Sequence, residues 1–255
     1  MLTDIFDLTG RIGLVTGSSQ GIGLAIARGL AGAGATVVLN GRNQARLDAA
    51  ARQLTEEGLT VETAAFDVTD PAGVETTISA IEARHGRLDI LVNNAGIQRR
   101  APFVDFPLDA FRDVQSTNVE GVFLVAQAVA RGMIARRSGK IINICSVMSE
   151  LGRANIVPYV AAKGAVRTMT KALCAELARY NIQVNGIGPG YIETELNTAL
   201  MQDAAFSAWV EARTPAGRWG KVEELAGAAI FLAGNASNFV NGHILYVDGG
   251  LTACV

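Results

Sequence analysis

The sequence predicts an α/β protein: a doubly wound, seven-stranded parallel sheet with helices on both faces. Short runs of β-branched and apolar residues alternate with longer alanine-rich stretches of helical spacing, which is the pattern of strands joined by right-handed crossovers. Hydrophobic residues make up 49% of the 255 residues and mean hydropathy is +0.27, as a sheet buried on both faces requires. The chain has no linker or repeat, so residues 1–255 are expected to form a single domain.

Strands and helices are predicted in alternation along the chain. The strands are expected at 11–16, 35–40, 60–66, 88–93, 140–145, 183–187 and 244–247. The helices are expected at 22–33, 44–57, 71–85, 108–136, 157–180 and 222–232. The segment 189–218 interrupts this alternation, since it begins irregularly and then becomes helical. An insertion at this place is typical of a lid over a ligand cleft, so we expect a small helical lid there.

Composition argues against several classes of protein. No run reaches the roughly 18 apolar residues of a membrane helix, and residues 1–10 lack the pattern of a secretory signal. The net charge of −2, without a basic block, gives no footprint for nucleic acid or an anionic membrane. Three scattered cysteines and two histidines are too few for a disulfide framework or a metal site. We therefore expect a cytoplasmic protein with a small-molecule substrate, and no metal, membrane or nucleic-acid partner.

A glycine-rich turn, TGSSQGIG at 16–23, follows the first strand and opens the first helix. Glycines there permit a tight turn and let the backbone approach a pyrophosphate, which the free N–H groups of the helix then bind. The alternative is an ordinary glycine-rich turn, but the strand–turn–helix placement favours dinucleotide binding. This placement predicts a Rossmann-type three-layer sandwich.

Further polar residues follow the next three strands. Asn40, Gly41 and Arg42 end the second strand without the acidic residue that binds the ribose 2′-hydroxyl of NAD. Arg42 can instead pair with a 2′-phosphate, which predicts NADP(H) preferred over NAD(H); the alternative is a solvated arginine at a helix start. Asp67 is placed to accept a hydrogen bond from an adenine amino group, and NNAG at 93–96 lets the chain pass close to a dinucleotide.

The candidate chemistry rests on three side chains. Tyr159 and Lys163 lie four residues apart in a helical stretch and project from the same face, and Ser146 ends the fifth strand. A nearby ammonium stabilises a phenolate, which makes a tyrosine a competent acid/base for a carbonyl/alcohol pair. The tyrosine–lysine spacing alone is common on helix surfaces. Its combination with Ser146 and the glycine turn indicates an oxidoreductase site.

With these motifs, YVAAK at 159–163, PGYIET at 189–194 and VDGG at 247–250, the sequence resembles the short-chain dehydrogenase/reductase family over essentially its whole length. The resemblance implies oxidoreduction at a CH–OH group with a nicotinamide coenzyme, usually in a homotetramer. It implies catalysis by Asn118, Ser146, Tyr159 and Lys163. The candidate coenzyme-binding residues are Gly17, Ser19, Gln20, Gly21, Ile22, Gly23, Asn40, Arg42, Asp67, Val68, Asn93, Ala95, Gly96, Tyr159, Lys163, Pro189, Gly190, Ile192 and Thr194.

The substrate side is more particular. Segments 93–100, 142–153, 206–220 and 239–250 are similar to family members that act on a polyol acid and its keto form. The candidate substrate-binding residues are Arg99, Ser146, Met148, Arg153, Tyr159 and Tyr191, with Arg100 as the alternative to Arg99. Two positions depart from the expected pattern. Gln20 stands where NADP-preferring members often carry arginine, and Met148 stands where a polar residue is expected.

Two other functions are weighed against this one. Reduction of another ketone, such as a 3-oxoacyl thioester or a keto-sugar, would use the same catalytic residues; for an acyl-carrier substrate it predicts a concentrated basic helix, which the sequence lacks. A catalytically silent nucleotide-binding scaffold predicts loss of the serine, tyrosine or lysine, and all three are present. The sequence therefore favours an enzyme that acts on a sugar acid.

Overall fold

A computed structural model describes residues 2–254, and one seven-stranded parallel sheet forms its centre. The strands are β1 (Ile12–Val15), β2 (Thr36–Gly41), β3 (Val61–Ala65), β4 (Ile90–Asn93), β5 (Gly139–Ile144), β6 (Ile182–Pro189) and β7 (Ile244–Val247), in the order β3-β2-β1-β4-β5-β6-β7. The doubly wound fold and all seven predicted strands are confirmed, with ends that shift by at most two residues. The strand order reverses between β1 and β4, where such sheets bind ligands beyond the carboxyl ends of their strands.

Helices cover both faces of the sheet. They are α1 (Gly21–Gly32), α2 (Gln44–Glu56), α3 (Pro71–His85), α4 (Leu108–Gln115), α5 (Gly121–Arg136), α6 (Val157–Leu177), α7 (Thr198–Met201), α8 (Ala204–Arg213) and α9 (Ala226–Ala233). Val15 packs in a core with residues of α1, α2 and α9, whereas its neighbour Leu14 packs in a second core with residues of α3, α5 and α6. The two cores lie on opposite faces because side chains alternate along a strand.

The long helix predicted at 108–136 is interrupted. A π-helical turn, Ser116–Glu120, separates α4 from α5 and carries the buried Asn118 at its centre. Both ends of the Asn118 amide bind the backbone of Ile97, since Oδ1 accepts from its N–H at 2.8 Å and Nδ2 donates to its carbonyl at 2.9 Å. These bonds hold Asn118 inward, towards the chain that follows β4. Helical spacing continues across the turn, so the sequence pattern alone does not reveal the interruption.

The predicted lid is helical in its second half. A 3-10 turn, Glu195–Asn197, leads into α7 and α8, and the predicted helix at 222–232 begins as the 3-10 turn Val222–Leu225 before α9. The aromatic rings of Tyr191, Phe206, Trp209 and Trp219 pack with centroids 5.5–6.2 Å apart. This cluster fastens the lid to the end of β6. Within residues 2–254, no helix is long and apolar enough to cross a membrane.

Candidate active site

A cleft of about 470 Å³ opens at the carboxyl ends of the strands. It is lined by all of the predicted coenzyme-binding residues except Asn93, and by Ser146. The structure thus brings together residues from β1, β2, β4, β5, β6 and α6 that lie far apart in the sequence.

The glycine turn is packed too closely against its neighbours for a side chain at Gly17 or Gly23. Gly17 has φ +62°, and a Cβ there would lie 2.8 Å from the Cα of Ala95. A Cβ on Gly23 would collide with the Gly17 carbonyl and lie 2.5 Å from Nδ2 of Asn94. The Asn94 amide donates to the carbonyls of Thr16 and Gly17, each at 2.9 Å, so the NNAG segment fixes the glycine turn. The resulting cradle at the start of α1 fits the pyrophosphate of a dinucleotide.

The far end of the cleft carries two cations. Arg42 is exposed, and its Nη1 lies 3.6 Å from Oδ2 of Asp67. Burial raises the pKa of Asp67, but hydrogen bonds from Thr69 and the charge of Arg42 outweigh it and hold the pKa below its usual value. Arg46 also lines this end of the cleft, although it was not among the predicted site residues. Its position in the first turn of α2, directly after the end of β2, is the sequence feature that could have identified it.

The catalytic candidates meet at the other end. Ser146 follows β5, and its Oγ accepts a hydrogen bond from the N–H of Met148 at 3.1 Å. Tyr159 and Lys163 lie in the first two turns of α6, where Lys163 Nζ is 5.6 Å from the centroid of the Tyr159 ring. The same Nζ donates to the Ile144 carbonyl at 2.5 Å, which ties α6 to the end of β5. Ser146, Tyr159 and Lys163 all line the cleft, whereas Asn118 lies behind Gly96.

Two arginines lie against the aromatic residues of the lid. The guanidinium of Arg153 sits 4.3 Å from the ring centroid of Phe206 and 5.9 Å from that of Tyr191. The Tyr191 hydroxyl is buried and has no hydrogen-bond partner among the described residues, although Arg153 lies near it. Burial raises the pKa of Tyr191 despite the charges of Arg153 and Arg100, and desolvation and Arg153 together lower the pKa of Arg100. Arg100, the alternative to Arg99, therefore lies within electrostatic range of Arg153 and Tyr191, although its side chain is as exposed as that of Arg99.

Three predicted site residues, Arg99, Met148 and Asn93, do not line the cleft. Arg99 is exposed and donates to the Gln98 carbonyl. Met148 is buried in an apolar cluster with Ile156 and Leu251, against which Tyr159 and Tyr191 also pack, and it does not line the cleft.

Asn93 also lies outside the cleft. It is buried and donates to Oδ1 of Asn143 at 2.9 Å, and Asn143 donates to Oγ1 of Thr170 at 2.9 Å. This chain of side chains joins β4, β5 and α6, so it braces the elements that carry Ser146, Tyr159 and Lys163.

Comparison with known proteins agrees with this geometry. A family model described as Enoyl-(Acyl carrier protein) reductase matches residues 17–252, which include the glycine turn from Gly17 onwards and all the catalytic candidates. The chain belongs to the short-chain dehydrogenase/reductase family. As a member of this family, it is an oxidoreductase that uses a nicotinamide coenzyme and acts on a CH–OH group.

Similar members of the short-chain dehydrogenase/reductase family carry specific names. The chain is 55% identical to a gluconate 5-dehydrogenase of Gluconobacter oxydans (strain 621H), covering 98% of this chain and 97% of the relative. It is 51% identical to a 5-keto-D-gluconate 5-reductase of Escherichia coli (strain K12), over the whole of both chains. The crystal structure of a gluconate 5-dehydrogenase from Burkholderia cenocepacia J2315, in complex with NADP and tartrate, matches with a TM-score of 0.97 and 60% identity over 100% of both chains.

Proposed function

We propose that this protein reversibly interconverts D-gluconate and 5-dehydro-D-gluconate (5-keto-D-gluconate) with NADP(H). The observation that carries the proposal is the group of Arg100, Arg153 and the buried Tyr191 hydroxyl, which lies near Tyr159 because Tyr159 and Tyr191 pack against the same apolar cluster. A pair of guanidinium groups binds a carboxylate through charge-assisted hydrogen bonds, and a buried hydroxyl without a partner is costly until a ligand supplies one. The names of the relatives from Gluconobacter oxydans and Escherichia coli support the same substrate.

The adenosine end of the cleft supports a preference for NADP(H) over NAD(H). No acidic side chain follows β2, and Arg42 and Arg46 both line that end of the cleft. Two guanidinium groups there can bind a 2′-phosphate and compensate for glutamine at position 20. The complex of the Burkholderia cenocepacia relative with NADP is consistent with this preference.

The proposed mechanism assigns one task to each group. The N–H groups at the start of α1 would hold the pyrophosphate, Asp67 and Val68 would border the adenine, and Pro189, Gly190, Ile192 and Thr194, which also line the cleft, would border the nicotinamide. When bound, the nicotinamide supplies or accepts the hydride. Tyr159 donates its phenolic proton to the substrate oxygen during reduction and accepts it during oxidation, while Ser146 hydrogen-bonds the same oxygen. Lys163 holds the ribose hydroxyls and stabilises the tyrosinate, and Asn118 holds a water for proton relay.

The remaining sequence expectations complete the proposal. Residues 1–255 act as a single dinucleotide-binding catalytic domain, with 189–218 as the substrate lid. The chain assembles as a homotetramer, which the exposed apolar side chains of Phe103, Val104, Leu108 and Phe123 support, since monomers rarely leave such groups uncovered together. A cytoplasmic location without nucleic-acid or membrane partners stays a prediction from the sequence.

A screen of NADPH oxidation tests the substrate. It compares 5-keto-D-gluconate with other keto-sugar acids, neutral keto-sugars and an acetoacetyl thioester. We expect a higher kcat/KM with 5-keto-D-gluconate than with the neutral keto-sugars and the thioester, because only acids engage the arginine pair. Faster turnover of the thioester would favour the acyl-substrate alternative, and absence of turnover with every compound would favour a silent scaffold.

A further inference from the structure

The turn that carries Ser146 is tied to α6 by a second residue. Ser149, at the end of this 3-10 turn, accepts a hydrogen bond from the N–H of Ser146 at 3.3 Å. Its Oγ donates in turn to the carbonyl of Lys163 at 3.0 Å. The side chain of Ser149 is therefore used within the protein, and it holds the backbone of the serine turn against the helix that carries the lysine.

Glu150, the next residue, extends this connection to two elements. Its Oε2 forms an ion pair with Nη1 of Arg167 on α6, and its Oε1 accepts a hydrogen bond from the hydroxyl of Tyr246 on β7 at 3.1 Å. The same Arg167 nitrogen donates to the carbonyl of Ser149 at 3.4 Å. Burial and the Glu150 carboxylate raise the pKa of Tyr246 to about 12, so its hydroxyl stays a donor at neutral pH.

The spacing along α6 gives these contacts a common geometry. Tyr159, Lys163 and Arg167 follow each other at intervals of four residues, so they share one face of the helix. Along the chain, by contrast, Ser146 and Tyr159 are connected through residues 150–156, which form no regular helix or strand. The contacts from α6 to the serine turn therefore set the position of Ser146 relative to Tyr159.

The exposure of the pair argues against a role in stability alone. The side chains of Arg167 and Glu150 are 27% and 44% exposed, and ion pairs of this kind contribute little to the free energy of folding. Small displacements of reacting groups, in contrast, reduce rates strongly.

We propose that Glu150 is a positioning residue that holds the catalytic serine turn in register with Tyr159 and Lys163, through Arg167 on one side and Tyr246 on the other. The inference rests on the acid/base chemistry proposed above. It goes beyond that chemistry, because Glu150 lies outside the residues that line the cleft.

The test compares Glu150→Gln with a matched control. Glu57→Gln removes the charge from another ion pair, with Arg28, whose side chains are 39% and 31% exposed and which lies away from the cleft. We expect Glu150→Gln to lower kcat for carbonyl reduction about tenfold, with the KM for NADPH unchanged and a larger isotope effect from 4-deuterated NADPH. The control should keep the wild-type kcat. Arg167→Met and the double variant should each fall to the level of Glu150→Gln, since the two residues act as one unit.

A second readout does not depend on turnover. Cys145 precedes Ser146, is buried, and has its pKa raised to about 11 by burial, so it reacts slowly with iodoacetamide in the wild type. Glu150→Gln should speed its alkylation about tenfold relative to the exposed Cys254. Tyr246→Phe, which removes only the hydroxyl, should give a smaller change in the same direction.

The two readouts separate the possible failures. If Glu150→Gln matched Glu57→Gln in both kcat and Cys145 alkylation, the positioning role would be overturned. If the wild type reduced none of the screened carbonyl compounds, the proposed function would fail, and faster Cys145 alkylation in Glu150→Gln would still support the positioning role. The positioning role would also be contradicted if Glu150→Gln lowered kcat and raised the KM for NADPH by the same factor while the rate of Cys145 alkylation stayed unchanged.

Discussion

Lys140 makes the stability of the protein depend on pH in a predictable direction. It is the second residue of β5, at the end of the strand opposite the cleft, and only 3% of it is exposed. Its Nζ donates to Oδ1 of Asn238 at 2.9 Å and to Oγ of Ser237 at 3.3 Å, and its charge faces the guanidinium of Arg11. Burial, and then the like charge of Arg11, lower the pKa of Lys140 from 10.5 to about 8.

The direction and size of the pH dependence follow from the difference between the pKa of Lys140 in the folded state and in the unfolded state. Between pH 8 and 10.5 the lysine is largely neutral in the folded state and protonated in the unfolded state, so the unfolded state binds more protons. The free energy of unfolding therefore rises with pH across this window. The full cost of burying the charge applies below pH 8. The shift from 10.5 to about 8 corresponds to about 3 kcal/mol, at about 1.4 kcal/mol per pKa unit.

Urea unfolding of the wild type and Lys140→Met, each from pH 7 to 10.5, measures this contribution. Methionine keeps the length of the side chain and removes its charge. We expect the free energy of unfolding of the variant, minus that of the wild type, to fall by about 3 kcal/mol from pH 7 to 10.5. Subtracting the two proteins removes the pH dependence of all other groups. Comparing the difference at two pH values removes the constant cost of the hydrogen bonds that Lys140→Met loses. Parallel curves for the two proteins across the window would refute the reasoning.

Three further predictions concern the cleft. The double variant Arg42→Ala/Arg46→Ala should lower kcat/KM for NADPH about 10- to 100-fold and leave kcat/KM for NADH unchanged, because charge-assisted bonds are worth about 1.5–3 kcal/mol. Equal losses with both coenzymes would contradict the 2′-phosphate contact. Gly23→Ala should weaken NADPH binding at least about tenfold in calorimetry, since a Cβ overpacks the turn, and wild-type affinity would disprove the cradle. Arg100→Met should raise the KM for 5-keto-D-gluconate about tenfold but not that for a neutral keto-sugar, whereas equal effects on both would exclude carboxylate binding.

The fold and the cleft could be predicted because their information is local. Each strand is a short apolar run, each helix has its own spacing, and most motifs of the cleft lie at or directly after the end of a strand, with Tyr159 and Lys163 in the helix that follows β5. Parallel strands place their carboxyl ends at one edge, so the motifs meet without further information. For this reason the sequence predicts that the glycine turn, Ser146, Tyr159 and Lys163 lie in one cleft.

Other features of the site could not be predicted from the sequence, because they depend on contacts between residues that lie far apart in the chain. The choice between Arg99 and Arg100 is set by the approach of Arg153 and Tyr191, which no spacing encodes. The π-helical turn at Asn118 depends on its bonds to Ile97, 21 residues earlier.

Contacts between distant residues also explain why two residues predicted from the sequence to lie in the site, Asn93 and Met148, instead have partners inside the protein. Asn93 ends a strand, as a ligand-binding residue does, yet its side chain bonds Asn143. Met148 follows the catalytic serine, yet it packs in an apolar cluster with Leu251, near the other end of the chain.

The central claim, that Tyr159 is the acid/base of carbonyl reduction, is tested most directly by Tyr159→Phe. The variant removes the one hydroxyl that exchanges the proton and keeps the ring in the lining of the cleft. NADPH binding is measured by calorimetry, and turnover with 5-keto-D-gluconate by NADPH oxidation. The account predicts a fall in kcat of about 100-fold or more with NADPH affinity unchanged. Turnover at the wild-type rate would contradict it.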